Sequence, residues 1–286
     1  MPQEGKEFEQ IIHSIITRIV PADVDQWLTE KARLIREEKN AANLNMAFAA
    51  VPRKTGRQPV ELTEEEKNEL AAKELSLENR TIDRLARLWI LLQIDPADKS
   101  SYFNKIETLF KAAEMNELAA LYASLPFLAY PGEWQKQCAE GIRNNIGIVQ
   151  DAIMYNNPYP SKYLDDKAWN QLVLKAFFAD KDINKIIGLD ERANKELAIV
   201  LVDYANERRA AHRAVNPQLW RLVSKFIDAT NFDDISKAFK SNDINEKKGA
   251  ALACFYSNYE PAKKLLNDEP LLKSEIEENK LNWTIL

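Results

Sequence analysis

Glycine is scarce in this chain, with seven among 286 residues, where a globular sequence carries about 7%. Strand-rich folds spend glycine on tight turns, so its shortage points to helices joined by short polar turns. Histidine is scarcer still: a Ser-His-Asp or Cys-His set would have to use His13 or His212, and neither has partners at a suggestive spacing. His13 reads as a boundary residue of an amphipathic helix, and His212 as a cap at the negative end of a long one. Cys138 and Cys254 stand far apart with no second Cys or His at ligand spacing, which leaves no support for a metal cage or a disulfide framework and fits a reduced compartment. The isolated glycines form no phosphate-binding loop, so neither a metal nor a cofactor is expected.

Long apolar runs are missing as well. The longest, Leu88–Leu92 and Leu197–Val202, fall far short of the roughly 20 residues that cross a bilayer. The opening MPQEGKEFEQ is acidic and lacks a basic then apolar leader, so the expected location is cytoplasmic. A net charge of -5 with both signs interspersed argues against nucleic acid, which calls for a basic face. Between Arg192 and Lys225 seven Lys or Arg face three acids, the pattern of a solvated helix face.

What is present is helical period. Phe8, Ile11, Ile12, Ile15, Ile16 and Ile19 form one stripe, ended by Pro21, and Trp27, Leu28, Leu34 and Ile35 form the next. The stretch Val51–Val60 has two prolines and a glycine and reads as an exposed loop. Thr63 and Glu66 form a capping box that starts a helix at Glu64. Further helices are expected through Ile82–Leu92, Tyr102–Ala113, Glu117–Leu125, Glu133–Asn144, Ile146–Tyr155 and Asp166–Phe178, with a proline-rich turn at Asn157–Tyr163. Leu197–Val202 resembles a buried strand, yet the line Leu197, Leu201, Tyr204, Ala205 continues at helical spacing. Pro217 at a helix N1 position would open Gln218–Ala229. The acid pairs Asp165 with Asp166 and Asp233 with Asp234 precede helices and read as caps.

The last third holds short helices, Asp233–Lys240, Lys247–Phe255 and Ala262–Leu266. Helices this short are marginal alone and must stack on one another. Ala250, Ala251 and Ala253 would let neighbours approach closely. The fold class expected is all-α, an α-α superhelix or HEAT-like helical-repeat solenoid. Residues 1–130 would form an N-terminal helical region and 131–286 the repeat-like region, with a seam near Pro126–Gly132.

One segment concentrates polar and aromatic groups. Arg143, Asn144 and Asn145 end a helix; Tyr159 and Tyr163 follow in the proline-rich turn; Trp169 and Asn170 lie on the next helix. Asp190, Arg192 and Asn194 come after Gly188, then Asp203, Tyr204, Glu207 and Arg208, and finally Trp220 and Arg221. Asn170 has Val173, Leu174 and Phe177 at i+3, i+4 and i+7, so its amide sits on an apolar face and needs partners. Arg208 continues an apolar line and should turn inward to a carboxylate, Asp190 or Asp203. The set reads either as hydrogen bonds that tie helices in register or as a polar pocket for a ligand or a partner's peptide.

The same segment carries a resemblance. RNN at 143–145, NPYP at 157–160 with the following Tyr163, WNQLVLKA at 169–176, GLDERAN at 188–194, DYANER at 203–208 and LWR at 219–221, in this order, are similar to the EboA family of bacterial metabolite-traffic proteins. The likeness runs over about 118–223 and fades into the C-terminal helices, and the N-terminal part matches nothing recognisable.

The resemblance implies a cytoplasmic component of the ebo gene cluster that helps move a secondary-metabolite precursor toward the membrane or periplasm. It assigns no catalytic residues. The expected function is therefore a non-enzymatic binding or scaffold protein whose partners are other ebo-cluster proteins, a small-molecule metabolite, or both, any membrane association being through partners. The alternatives are an enzyme working through Asp190, Asp203 or Glu207 beside Arg192 and Arg208, and a pure protein-protein scaffold.

Overall fold

A computed structural model describes residues 3–38, 40–72, 77 and 80–286. Among the described residues the fold is all-α, and Pro59 and Thr81 form an isolated antiparallel bridge. The chain divides into two compact units, Met1–Leu164 and Asp165–Leu286.

The first unit holds α1 (Gln3–Ile19), α2 (Ala22–Glu37), α3 (Ala42–Thr55), α4 (Glu64–Ala71), α5 (Ile82–Leu91), α6 (Lys99–Ala112), α7 (Met115–Ser124), α8 (Gln135–Ile142), α9 (Gly147–Met154) and α10 (Tyr159–Tyr163). Its core is built on α5, where every residue but Arg84 is buried, Asp83 and Arg87 as an ion pair. Helices α1, α2, α3 and α7 pack against it. The stripe Phe8, Ile11, Ile12, Ile15, Ile16 of α1 is buried as its spacing requires. The capping box is in place: Glu66 accepts from the Thr63 N–H at 2.8 Å, and Thr63 Oγ1 accepts from the Glu66 N–H at 3.2 Å. Glu66 also holds Arg18 of α1 at 2.9 Å.

The region Val51–Val60 departs from expectation. Helix α3 continues through Pro52 to Thr55, and the loop begins only at Gly56. The reason is packing: Leu44, Ala47, Phe48, Val51 and Thr55 make one buried face, which outweighs the hydrogen bond that proline forfeits. The proline-rich turn likewise closes into the single-turn helix α10 after Pro158. Around the expected seam, short 3-10 turns occupy Leu125–Phe127 and Pro131–Trp134, both inside the first unit. Helices α7, α8 and α9 approach closely at Gly141, where an added Cβ would lie 2.5 Å from the Tyr122 ring and 2.7 Å from Ile153.

The second unit holds α11 (Asp166–Phe178), α12 (Lys195–Ala210), α13 (Leu219–Val223), α14 (Phe232–Phe239), α15 (Ile244–Tyr256), α16 (Glu260–Asn267) and α17 (Pro270–Glu277). Here α15 is central, buried from Gly249 to Cys254 and packed by α13, α14, α16 and α17. Its small residues permit that contact, as the alanines suggested. Asp165 caps α11 by accepting from the Ala168 N–H at 2.7 Å.

The helix expected over Gln218–Ala229 is cut short. Pro217 lies outside α13, which gives way to a 3-10 turn at Ser224–Phe226. The Asn231 side chain causes the break: its Oδ1 accepts from the Asp228 N–H and its Nδ2 donates to the Phe226 carbonyl, each at 3.0 Å. An amide that satisfies the backbone locally competes with the helix. Asp233 and Asp234 are not caps. They stand in the first turn of α14 behind Asn231, where a negative charge still suits the helix dipole.

Candidate functional site

The motif residues fall on both sides of the division at 164/165. In the second unit several of them meet one another. Asn194 is the N-cap of α12, its Oδ1 accepting from the Leu197 N–H at 2.9 Å. Its amide also pairs with Asn170 of α11, each Nδ2 donating to the other's Oδ1 at 2.8 and 3.1 Å. The half-buried amide on the apolar face of α11 thus finds its partner in the cap of the next helix.

Beside this pair the indole of Trp169 is fully buried, and its Nε1–H has no hydrogen-bond partner among the described residues. The Arg192 guanidinium lies over that ring, 5.0 Å from its centroid, and donates to Asp166 at 2.7 Å. Asp190 engages Arg221, which also donates to Asn184 at 2.9 Å. Trp220 repeats the Trp169 arrangement. It is fully buried with an unpartnered Nε1–H, and Arg209 covers it at 5.2 Å while donating to the buried Glu246 at 2.7 Å. Arg209 and Glu246 went unnoticed in sequence because Glu246 arrives from α15, 37 positions away.

Arg208 does not pair with Asp190 or Asp203. Its Nε donates to the Ala214 carbonyl at 2.8 Å and its guanidinium lies 5.9 Å from the Tyr204 ring centre. Asp190 is already held by Arg221, and Asp203 projects from the exposed face of α12 with Glu207. Tyr204 itself is buried against Phe178 at 4.6 Å. His212, at φ 53, turns the chain out of α12 in the left-handed region, so its capping role is a backbone one.

In the first unit Arg143 and Asn145 are exposed. Asn144 tightens the α8–α9 connection, its Oδ1 accepting from the Ile146 N–H at 2.8 Å. Tyr159 is fully buried, donates to the Pro131 carbonyl at 2.6 Å and contacts the Tyr163 ring at 4.9 Å. Burial pushes its phenol well above the ordinary value. His13 is structural too, bonded to Asp25 at 2.9 Å and stacked on Trp89 at 4.6 Å.

None of these residues lines the groove between α6 and α8, which has a volume of roughly 410 Å³. Phe103, Phe110 and Trp134 supply its rings, Glu107, Glu133 and Glu140 its carboxylates, and Lys111 and Lys136 its ammonium groups. Phe103 stacks on Trp134 at 4.5 Å, and Trp134 donates to the Ala129 carbonyl at 3.0 Å. Phe103, Glu107, Phe110 and Lys111 recur at helical spacing on α6, a face legible in sequence, but the opposite wall comes from a separate helix. Among the described residues no three His, Cys, Asp or Glu cluster as metal ligands.

The motif order singled out in the sequence has a counterpart in a family model described as "Metabolite traffic protein EboA", which matches residues 8–224. The chain belongs to the EboA family. The EboA match reaches well beyond the 118–223 over which a likeness was legible, taking in α1 to α7, while α14 to α17 lie outside it. The groove between α6 and α8 and the paired motif residues of α11 to α13 both fall within the EboA segment. No curated protein and no solved structure matches the chain. Among the described residues no helix is long and apolar enough to cross a membrane.

Proposed function

We propose that this EboA-family chain is a non-enzymatic binding or scaffold protein of metabolite traffic. It works in the cytoplasm with other proteins of the ebo cluster and holds a secondary-metabolite precursor or a partner that handles one. In this reading its short stacked helices form a HEAT-like α-α superhelix that presents a binding face, and the motif residues keep neighbouring helices in register.

The observation that carries the reading is the state of the charged groups in and beside the motifs. Arg192 lies on Asp166 and Trp169, Arg221 on Asp190, and Arg209 on Glu246 and Trp220. Charges engaged in this way hold helices in place. An enzyme using Asp190, Asp203 or Glu207 as acid or base would want one of them in a dry cleft with its pKa displaced; Asp190 is committed to Arg221 and the other two face solvent. This supports the binding role over the catalytic one.

The test is to recover the tagged chain from cells making the metabolite and to identify both proteins and small molecules by mass spectrometry. Recovery of the metabolite or of ebo-cluster proteins is expected. Chemical conversion of the metabolite by the purified chain alone would overturn the proposal.

A further inference from the structure

We propose that the groove between α6 and α8 seats a small molecule bearing a flat aromatic ring and a protonated amine. The size fits: roughly 410 Å³ lies in the range of about 300–1,000 Å³ typical of small-molecule sites. The floor suits a ring, because Phe103 is only half-buried and is backed by Trp134 in a near-parallel stack at 4.5 Å and 24°. Phe110 closes the other end, edge-on to Tyr122 at 5.1 Å.

Charge decides what the ring should carry. The walls bring three carboxylates, Glu107, Glu133 and Glu140, against the ammonium groups of Lys136, of Lys111 at 3.9 Å from Glu107 and of Lys99 at the edge. The adjoining depression shares Phe103 and Glu107 and adds Asp98. Aromatic faces are electron-rich and attract cations, so rings and carboxylates act in the same direction.

A second, independent observation shows this chemistry already in use at the groove's edge. The Lys99 ammonium lies 5.8 Å from the Phe103 ring centre and 5.3 Å from that of Tyr130, and it pairs with Glu133 at 2.6 Å. A side chain of the protein thus stands where the amine of a ligand would be welcome. The inference deepens the binding-protein reading by naming a ligand class, and it rests on that reading only in taking a small molecule to be bound.

The experiment uses the full chain and three probes with the same ring, namely phenethylamine, 2-phenylethanol and phenylacetate, titrated at neutral pH by ligand-observed NMR and calorimetry. Phenethylamine should bind about fivefold tighter than the neutral alcohol, the scale of one exposed cation–π contact, and phenylacetate weakest. Phe103→Ala should abolish the preference. Glu107→Gln with Glu140→Gln, both on exposed positions and so harmless to folding, should reduce it, and Lys99→Gln should strengthen amine binding by removing the internal competitor. Equal binding of the three probes, no binding of any, or amine binding unchanged in the double Gln variant would overturn the proposal. Recovery of ebo-cluster proteins with a chain that binds no probe would sink the groove assignment alone and leave the binding role intact.

Discussion

Asp190 takes the Arg221 guanidinium in a two-point grip, Nε to Oδ1 at 2.7 Å and Nη2 to Oδ2 at 2.5 Å, which fastens the loop ahead of α12 to α13. Lysine cannot reproduce a planar fork. Arg221→Lys and Asp190→Asn should each lower stability, and their double-mutant cycle should show a coupling of about 1 kcal/mol, discounted for the partly exposed Asp190. Urea unfolding of the four proteins measures it, and a coupling near zero would mean that the fork ties nothing.

A deeper pair lies in the first unit. Arg87 is 1% exposed and bonds Asp83 at 3.0 Å on its own helix and the Phe48 carbonyl of α3 at 3.0 Å. Burial lowers the guanidinium pKa, and Asp83 and Glu117 oppose that shift. Removing Asp83 leaves the buried guanidinium with only Glu117 at 3.7 Å as a counter-charge, so Asp83→Ala should cost about 3 kcal/mol, whereas replacing both Asp83 and Arg87 with leucine should cost clearly less. Denaturation midpoints of the single and double variants decide between these outcomes.

Gly249 offers a packing test. A Cβ at this position would meet the Pro217 carbonyl oxygen at 2.5 Å, and backbone yields less easily than a side-chain tip. Gly249→Ala should destabilise the protein by about 1–3 kcal/mol. Ala253→Gly, about one turn further along α15, serves as the comparison for a change in helix propensity, and a Gly249→Ala protein as stable as the parent would refute the close approach.

Alkaline pH should weaken the fold. Burial pushes the thiols of Cys138 and Cys254, and the phenol of Tyr102, each up to about 12. In the unfolded chain they titrate near their ordinary 9.0 and 10.0, so above pH 9 the unfolded state holds fewer protons than the folded one. Stability is then full below about pH 9 and falls as pH rises toward 12. The thermal midpoint should drop between pH 8.5 and 11, and both thiols should resist a disulfide reagent at pH 8 until urea is added.

Legibility followed the range of the interaction that fixed each feature. Helix α11 begins and ends where Asp165 and its period indicated, and the Thr63–Glu66 box is in place, because caps and stripes are local. Helix α3 ran on through Pro52 because its buried face is judged by neighbours, and α13 stopped early because one amide, Asn231, bonds the backbone on both sides of Ile227. At the candidate site the need of Asn170 for a partner was readable from its own helix, but the choice of Asn194 was not. Arg208 continues an apolar line that points it inward toward a carboxylate, but the Ala214 carbonyl takes its guanidinium. The groove was hidden because α6 and α8 each show an ordinary amphipathic face until they are placed side by side.

The six tryptophans are shared evenly, Trp27, Trp89 and Trp134 in one unit and Trp169, Trp220 and Trp283 in the other. Two of the second set, Trp169 and Trp220, are sealed from water beneath arginines with their N–H groups unbonded. Indoles so enclosed emit at short wavelength, and their light shifts red when solvent enters. Replacing Trp27, Trp89 and Trp134 with phenylalanine would therefore convert the second unit's own fluorescence into an optical gauge of its melting, separate from that of the first.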